Sequence, residues 1–188
     1  MAAPARRWGW HQLDPRWAAR FVADAALPPG ALVLDLGAGL GALTGPLVAS
    51  GARVLAIEAH PGRARLLRER FGDAVVVVPV DLADLRLPHR PFHVVANPPF
   101  ALTSPILRNL LQPGSRLVSA RLVLHSSAVR RWTGPDAPGA HRWGRTFALT
   151  AGPPVPRTAF RPAPIVDARV LAVARVGCAP PPPPSPGT

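Results

Sequence analysis

The run Asn97-Pro98-Pro99-Phe100 closes an apolar stretch and combines residue types that suit the methylation of a planar exocyclic nitrogen. Asn97 carries a side-chain carbonyl, Pro98 can offer only its backbone carbonyl, and Phe100 offers a flat face on which a base can stack. An amine conjugated to a ring is a poor nucleophile because its lone pair is delocalised. Two acceptors holding its hydrogens favour a pyramidal nitrogen with the lone pair freed, so positioning and electrostatic preorganisation would supply most of the rate without an obvious general base. Asn-Pro and Pro-Pro are also ordinary strand-ending turn signals, so the run needs support from the rest of the chain.

That support lies upstream. Leu32-Val33-Leu34-Asp35-Leu36 reads as a buried strand that enters Gly37-Ala38-Gly39-Leu40-Gly41 and then a helix reaching Ser50. Gly37, Gly39 and Ala42 also fit the dinucleotide fingerprint, so the glycines alone leave NAD and S-adenosylmethionine (SAM) open. Asp35 tips the balance, because a carboxylate just before the glycines suits a cofactor with an ammonium and a sulfonium and repels a pyrophosphate. Its other reading is a strand-end residue bonded to turn amides. Glu58 ends the next strand and can accept ribose hydroxyls. Asp81 follows a third apolar run, where it can accept from the adenine amine of SAM or cap a short turn, a job for which Asp84 also qualifies. Ligands of open α/β sheets bind at the carboxyl ends of strands, and Glu58 and Asp81 both follow strand ends.

Together these motifs resemble the ribosomal RNA adenine-N6 methyltransferases, above all the erythromycin-resistance (Erm) branch. The resemblance runs from about Trp8 to Val173 and includes the block Phe160-Arg161-Pro162-Ala163-Pro164-Ile165-Val166-Asp167. It implies that Gly37, Gly39, Asp35, Glu58 and Asp81 bind SAM together with Asn97 and His11. Asn97 and Pro98 would grip the target amine, and Phe100 and Phe160 would sandwich the base. In isolation Phe160 would be read as core. The stretch Gly9-Trp10-His11-Gln12-Leu13 departs from the family's usual opening by placing Trp10 at the glutamine position. Pro98 stands where many Erm proteins have an aliphatic residue, a change that keeps the carbonyl acceptor. The chain resembles the short single-domain form known from mycobacteria.

Charge points the same way. The formal net charge is +12, and every basic side chain is arginine, which with the abundant alanine and proline reflects a GC-rich genome as much as a ligand. Its distribution says more. No acidic residue lies between Asp84 and Asp136, whereas Arg86, Arg90, Arg108, Arg116, Arg121, Arg130 and Arg131 all do. A one-signed surface of guanidinium groups would bridge phosphates and stack on splayed bases. The candidate RNA-binding residues are Arg108, Arg116, Arg130 and Arg131, with Arg6 and Arg7 in a cationic and aromatic N-terminal arm.

The fold implied is α/β: a Rossmann-like SAM-dependent methyltransferase, a seven-stranded αβα sandwich without the helical C-terminal domain usual in the family. Strands are expected near 32–36, 53–58, 75–79, 92–97, 117–124, 146–151 and 166–175, the last pair closing in a hairpin around Pro153-Pro154. The glycine- and proline-rich stretch 133–142 reads as a mobile loop near the pocket. The expected organisation is an arm over 1–15, a catalytic domain over 16–176 and a proline-rich disordered tail over 177–188. A lone Cys178 leaves no internal disulfide, and neither a membrane span nor a signal-peptide apolar region is visible.

The leading expectation is therefore a cytoplasmic, monomeric enzyme using SAM to methylate adenine N6 in 23S ribosomal RNA or a large-subunit precursor, giving macrolide-lincosamide-streptogramin type resistance, with no metal and no membrane partner. Two alternatives stay open: a protein glutamine-amide (release factor) methyltransferase, whose target nitrogen is also planar, and a non-catalytic rRNA-binding or ribosome-assembly factor.

Overall fold

Largely apolar segments build the centre of the molecule, Leu32–Leu36 being the clearest with five buried residues in a row, as a strand covered on both faces requires. A computed structural model describes residues 11–177. Its main sheet contains β2 (Leu32–Leu36), β3 (Arg53–Ile57), β4 (Val75–Val78), β5 (Phe92–Ala96), β6 (Leu117–His125), β7 (Phe147–Val155) and β9 (Ala168–Arg175) in the order β4-β3-β2-β5-β6-β9-β7. The first five run parallel, while β9 lies antiparallel between β6 and β7. A separate two-stranded piece pairs β1 (Gln12–Leu13) with β8 (Phe160–Arg161).

Alternate residues of each strand enter two cores. One face carries Leu34, Leu36, Val94, Ala96, Leu122 and Leu124 against α4 (Thr103–Leu110) and α5 (Ser126–Thr133). The other carries Val33, Val95 and Val123 against α1 (Pro15–Ala23), α2 (Thr44–Ala49) and α3 (Pro61–Phe71). Helix starts follow local chemistry. Asp14 accepts from the amides of Arg16 and Trp17 with Pro15 behind it, and His60 accepts from Arg63 N with Pro61 behind it.

The strand order reverses beside β2: β3 and β4 extend to one side, β5 and β6 to the other. A crevice opens at the carboxyl ends of strands at such a switch point. The two loops that border it follow β2 and β5, so the topology alone brings Gly37–Gly41 to Asn97–Phe100.

The structure moves several sequence boundaries. β7 continues through Pro153 and Pro154 to Val155, and the chain turns back over 156–167 instead. β7 is an edge strand whose register shifts between Ala151 and Pro154, so the missing proline N–H groups are not needed by a neighbour. Gln12 and Leu13, expected in the arm, form β1, and Leu13 is buried in the core. The stretch 133–142 folds into turns leading to α6 (Ala140–Trp143). The Trp143 indole donates to Pro138 O at 3.0 Å and stacks on the buried Trp132, so tertiary packing fixes what composition alone reads as a loop. None of that stretch lines the crevice. Arg6, Arg7, Trp10 and the tail from Cys178 onward lie outside the described residues.

Candidate active site

The crevice is a cavity of about 510 Å³ whose walls include His11, Asp35, Gly37, Gly39, Glu58, Asp81, Asn97, Pro98 and Phe100. These residues are scattered from His11 to Phe100, yet each stands at a strand end or in the loop that follows one, apart from His11 beside β1.

Its floor is the glycine loop. Gly37 and Ala38 donate their amides to Ile57 O at 2.9 and 3.0 Å, tying the loop to the end of β3. Gly37 has φ +74°, and a Cβ there would stand 3.2 Å from Pro99 Cδ. The residue must therefore be glycine for two reasons, the left-handed backbone and the close approach of the proline turn.

Three carboxylates face the cavity in different states. Asp35 is 1% exposed, accepts from Thr44 Oγ1 at 2.7 Å, and has its pKa pushed up to about 7 by burial, opposed by the Thr44 hydrogen bond and reinforced by Glu58. Glu58 accepts from Gly39 N at 2.9 Å and from His60 N at 2.8 Å, with an Arg63 guanidinium nitrogen 3.7 Å away. These contacts fix its plane and leave further lone pairs toward the cavity. Asp81 is exposed. Its Oδ1 accepts from Ala83 N at 2.9 Å, so it holds its own turn while still lining the cavity. A buried acid beside a second carboxylate is a poor neighbour for pyrophosphate. It is well matched to a ligand that brings an ammonium, a sulfonium and a hydroxylated sugar, and the donor set thus fits SAM.

At the other end of the cavity Asn97 Nδ2 donates to His11 O at 2.8 Å. A carbonyl can only accept, so this bond settles the amide orientation and turns Asn97 Oδ1 the other way. Phe100 is half-buried, its carbonyl accepting from Thr103 Oγ1 at 2.8 Å. The His11 ring lies 6.5 Å from the Phe100 ring, the planes inclined by 29°, and His125 meets Phe100 edge-on at 6.2 Å.

Phe160 is placed differently from the expected clamp. It is wholly buried, paired through β8 with Leu13, and touches His11 edge-on at 6.4 Å without lining the cavity. His11, and not Phe160, is the ring that lies beside Phe100 at the cavity. The pairing of β1 with β8 decides this, and no sequence pattern reports the pairing of two-residue strands at opposite ends of the described chain.

The arginines divide. Arg130 and Arg131 are exposed on α5, which leaves the cavity end at His125. Arg108 sits in the last turn of α4, and Arg116 precedes β6, so Arg116 lies at the opposite end of the parallel strands from the cavity. Arg121 is paired with Asp24 at 3.8 Å over the Phe21 ring. Sequence reasoning missed Thr44, which lacks any motif signal, and Arg63, whose position three residues into the helix after Glu58 could have marked it. It also missed a second, shallower concavity formed by Asp14, Arg16, Trp17, Arg20 and Thr158.

A glycine loop, three strand-end carboxylates and an Asn-Pro-Pro-Phe turn at the switch point of this sheet define a Rossmann-like methyltransferase of the SAM-dependent class. The profile of the family described as ribosomal RNA adenine dimethylase matches residues 11–182, and the chain belongs to that family. It is 37% identical to the mycinamicin-resistance protein MyrB of Micromonospora griseorubida over 147 residues, 76% of this chain and 46% of MyrB. It is 34% identical to ribosomal RNA small subunit methyltransferase A of Anaeromyxobacter dehalogenans, over 88% of this chain and 66% of that protein. Among solved structures, the 23S rRNA methyltransferase ErmE superposes with a TM-score of 0.76 at 29% identity, covering 88% of this chain and 70% of ErmE. The chain thus spans between about half and two thirds of the length of these two curated relatives.

Proposed function

We propose that this chain methylates N6 of adenine in 23S ribosomal RNA with SAM as donor, a modification that gives macrolide-lincosamide-streptogramin type resistance. The observation that carries this reading is Asn97. Its acceptor is oriented by the His11 carbonyl, beside a half-buried aromatic face and in the same cavity as three carboxylates. Likeness to the 23S rRNA methyltransferase ErmE favours the large-subunit target, and likeness to the mycinamicin-resistance protein MyrB favours the resistance role. Likeness to the small-subunit enzymes keeps 16S RNA as the second reading.

SAM supplies an electrophilic methyl group on a sulfonium. Asp35, deprotonated, holds the cationic end of the cofactor, Glu58 takes the ribose hydroxyls, and Asp81 accepts from the adenine amine. Asn97 Oδ1 and the Pro98 carbonyl accept the two hydrogens of the target N6 and steer its lone pair. Phe100 stacks on the adenine. The His11 and Phe100 rings face one another with centroids 6.5 Å apart and planes inclined by 29°, and the adenine would enter between them as they part. His11 is then the second wall, and Phe160 buttresses it. The proton lost from N6 passes to water, since positioned acceptors rather than a titrating base bind the amine.

The test is incubation with methyl-labelled SAM and, separately, 23S rRNA, 16S rRNA, both assembled subunits and a release factor, followed by mass spectrometry of nucleosides and peptides. Labelled N6-methyladenosine from 23S rRNA alone is the expected result. Label in 16S rRNA favours the second reading, label on glutamine the protein substrate, and SAM binding with no transfer a non-catalytic rRNA-binding factor. Raised macrolide tolerance on expression in a sensitive host would establish the resistance role.

A further inference from the structure

Ile165 is 91% exposed, whereas Leu66, Val76 and Val176, the other exposed large apolar residues among those described, range from 46% to 59%. A lone exposed aliphatic residue is ordinary on a protein surface. This one is held out by a fixed loop. Its neighbour Pro164 is buried. The Asp167 carbonyl accepts from Ser126 N at 2.8 Å, and Asp167 Oδ1 accepts from Arg157 Nε at 3.2 Å and Nη2 at 3.0 Å. On the other side Pro162 O lies 2.9 Å from His11 Nδ1. The two anchors, His11 and the segment beginning at His125, are the groups that flank the Phe100 ring. The loop between them therefore arcs beside the mouth of the cavity. Ile165 is three residues from Pro162, within about 10 Å at full extension.

An adenine bound with its amine at Asn97 has left its stack, and the vacated step costs free energy that an inserted apolar side chain can offset. We propose that Ile165 is a wedge that enters the RNA stack at the position the target adenine leaves. The partner is the pair of nucleobases flanking that adenine. The exposed Arg161 at the start of the loop stands ready for an adjacent phosphate. This inference rests on the adenine-methylating reading and adds a device for extracting the base.

The test uses Ile165→Ser and Ile165→Leu in the full chain, with unfolding temperature and SAM affinity as controls expected to match the wild type. Once the modified adenine is mapped on 23S rRNA, two hairpins carry it, one with the adenine stacked in its native context and one with it as an unopposed bulge. Ile165→Ser should lower kcat/KM about tenfold on the stacked hairpin and less than twofold on the bulge, and Ile165→Leu should restore the first. With 2-aminopurine at the target position, the fluorescence rise that reports unstacking should fall for the serine variant only. Equal loss on both hairpins would make Ile165 a plain contact and overturn the wedge, as would no loss on either. If the wild type binds SAM but methylates no ribosomal RNA, the functional reading fails and the wedge fails with it. That outcome is distinguishable because the variants then have no activity to differ in.

Discussion

Asn97 and Asp35 share one cavity, but in the proposed mechanism they act on different molecules, so their variants should separate. Asn97→Ala should leave SAM affinity within about twofold and cut methyl transfer by two or more orders of magnitude, because the proposed main role of its acceptor is to hold the reacting nitrogen. Calorimetry beside single-turnover transfer would check this, and joint loss of both would refute the assignment. Asp35 makes a pH prediction. Its usual pKa is 3.8, and burial holds it near 7 in the folded chain. Between those values the folded chain keeps a proton that the unfolded chain has lost, so stability of the cofactor-free protein falls as pH rises from about 4 to 7. Asp35→Asn should melt a few degrees above the wild type at pH 8, with the gap closing toward about pH 4. The cofactor's cation needs the carboxylate, so wild-type SAM affinity should climb as pH passes through 7 and then level, while Asp35→Asn binds weakly at every pH. Melting curves and titrations across that range measure both effects.

Among the elements, the contact between the loop after β2 and the turn after β5 holds the two halves of the site together. Gly37→Ala adds a methyl group 3.2 Å from Pro99 Cδ on a backbone with φ +74°. It should cost about 1–3 kcal/mol of stability and weaken both SAM binding and transfer, because the cofactor loop and the amine-binding turn move together. Gly51→Ala is the comparison: φ is +78° there, but nothing lies within 4 Å. It should lose stability and leave the kinetic constants of the remaining folded enzyme unchanged. Most elements were legible in the chain. β2 reads as five consecutive buried residues bounded by a glycine loop, and β3, β4, β5 and β6 fall within a residue or so of their expected limits. The end of β7 was not, since prolines look like a turn unless the strand is known to be an edge.

For the whole molecule, a net charge of +12 matters by where it sits. Arg116 lies at the end of the sheet away from the cavity, whereas Arg161 is exposed on β8 and pairs with Gln12 of the cavity wall. Arg161→Gln should raise KM for rRNA several-fold and reduce the slope of log(kcat/KM) against log salt by about one, as loss of one phosphate contact does. Arg116→Gln should leave both nearly unchanged. Equal effects would mean that the RNA footprint wraps to the far end. Among the described residues no helix is long and apolar enough to cross a membrane.

Local sequence determined the parts whose chemistry is set by neighbours in the chain. The strand, glycine loop and carboxylate of 32–41 read as a cofactor loop, and the Asn97–Phe100 run reads as a strand-ending turn that becomes a candidate amine site once joined to that loop, because hydrophobic run, glycine freedom and proline carbonyl are properties of adjacent residues. Asp35 also shows the limit of that reading. Its place before the glycines was visible, but its near-neutral pKa follows from complete burial beside Thr44 and Glu58. Tertiary structure alone decided which ring faces Phe100, which arginines share the cavity's end of the sheet, and that Ile165 stands in solvent. Each depends on register or strand order between distant segments, and a pairing of two residues in β1 with two in β8 is too small to leave a periodic trace in the sequence.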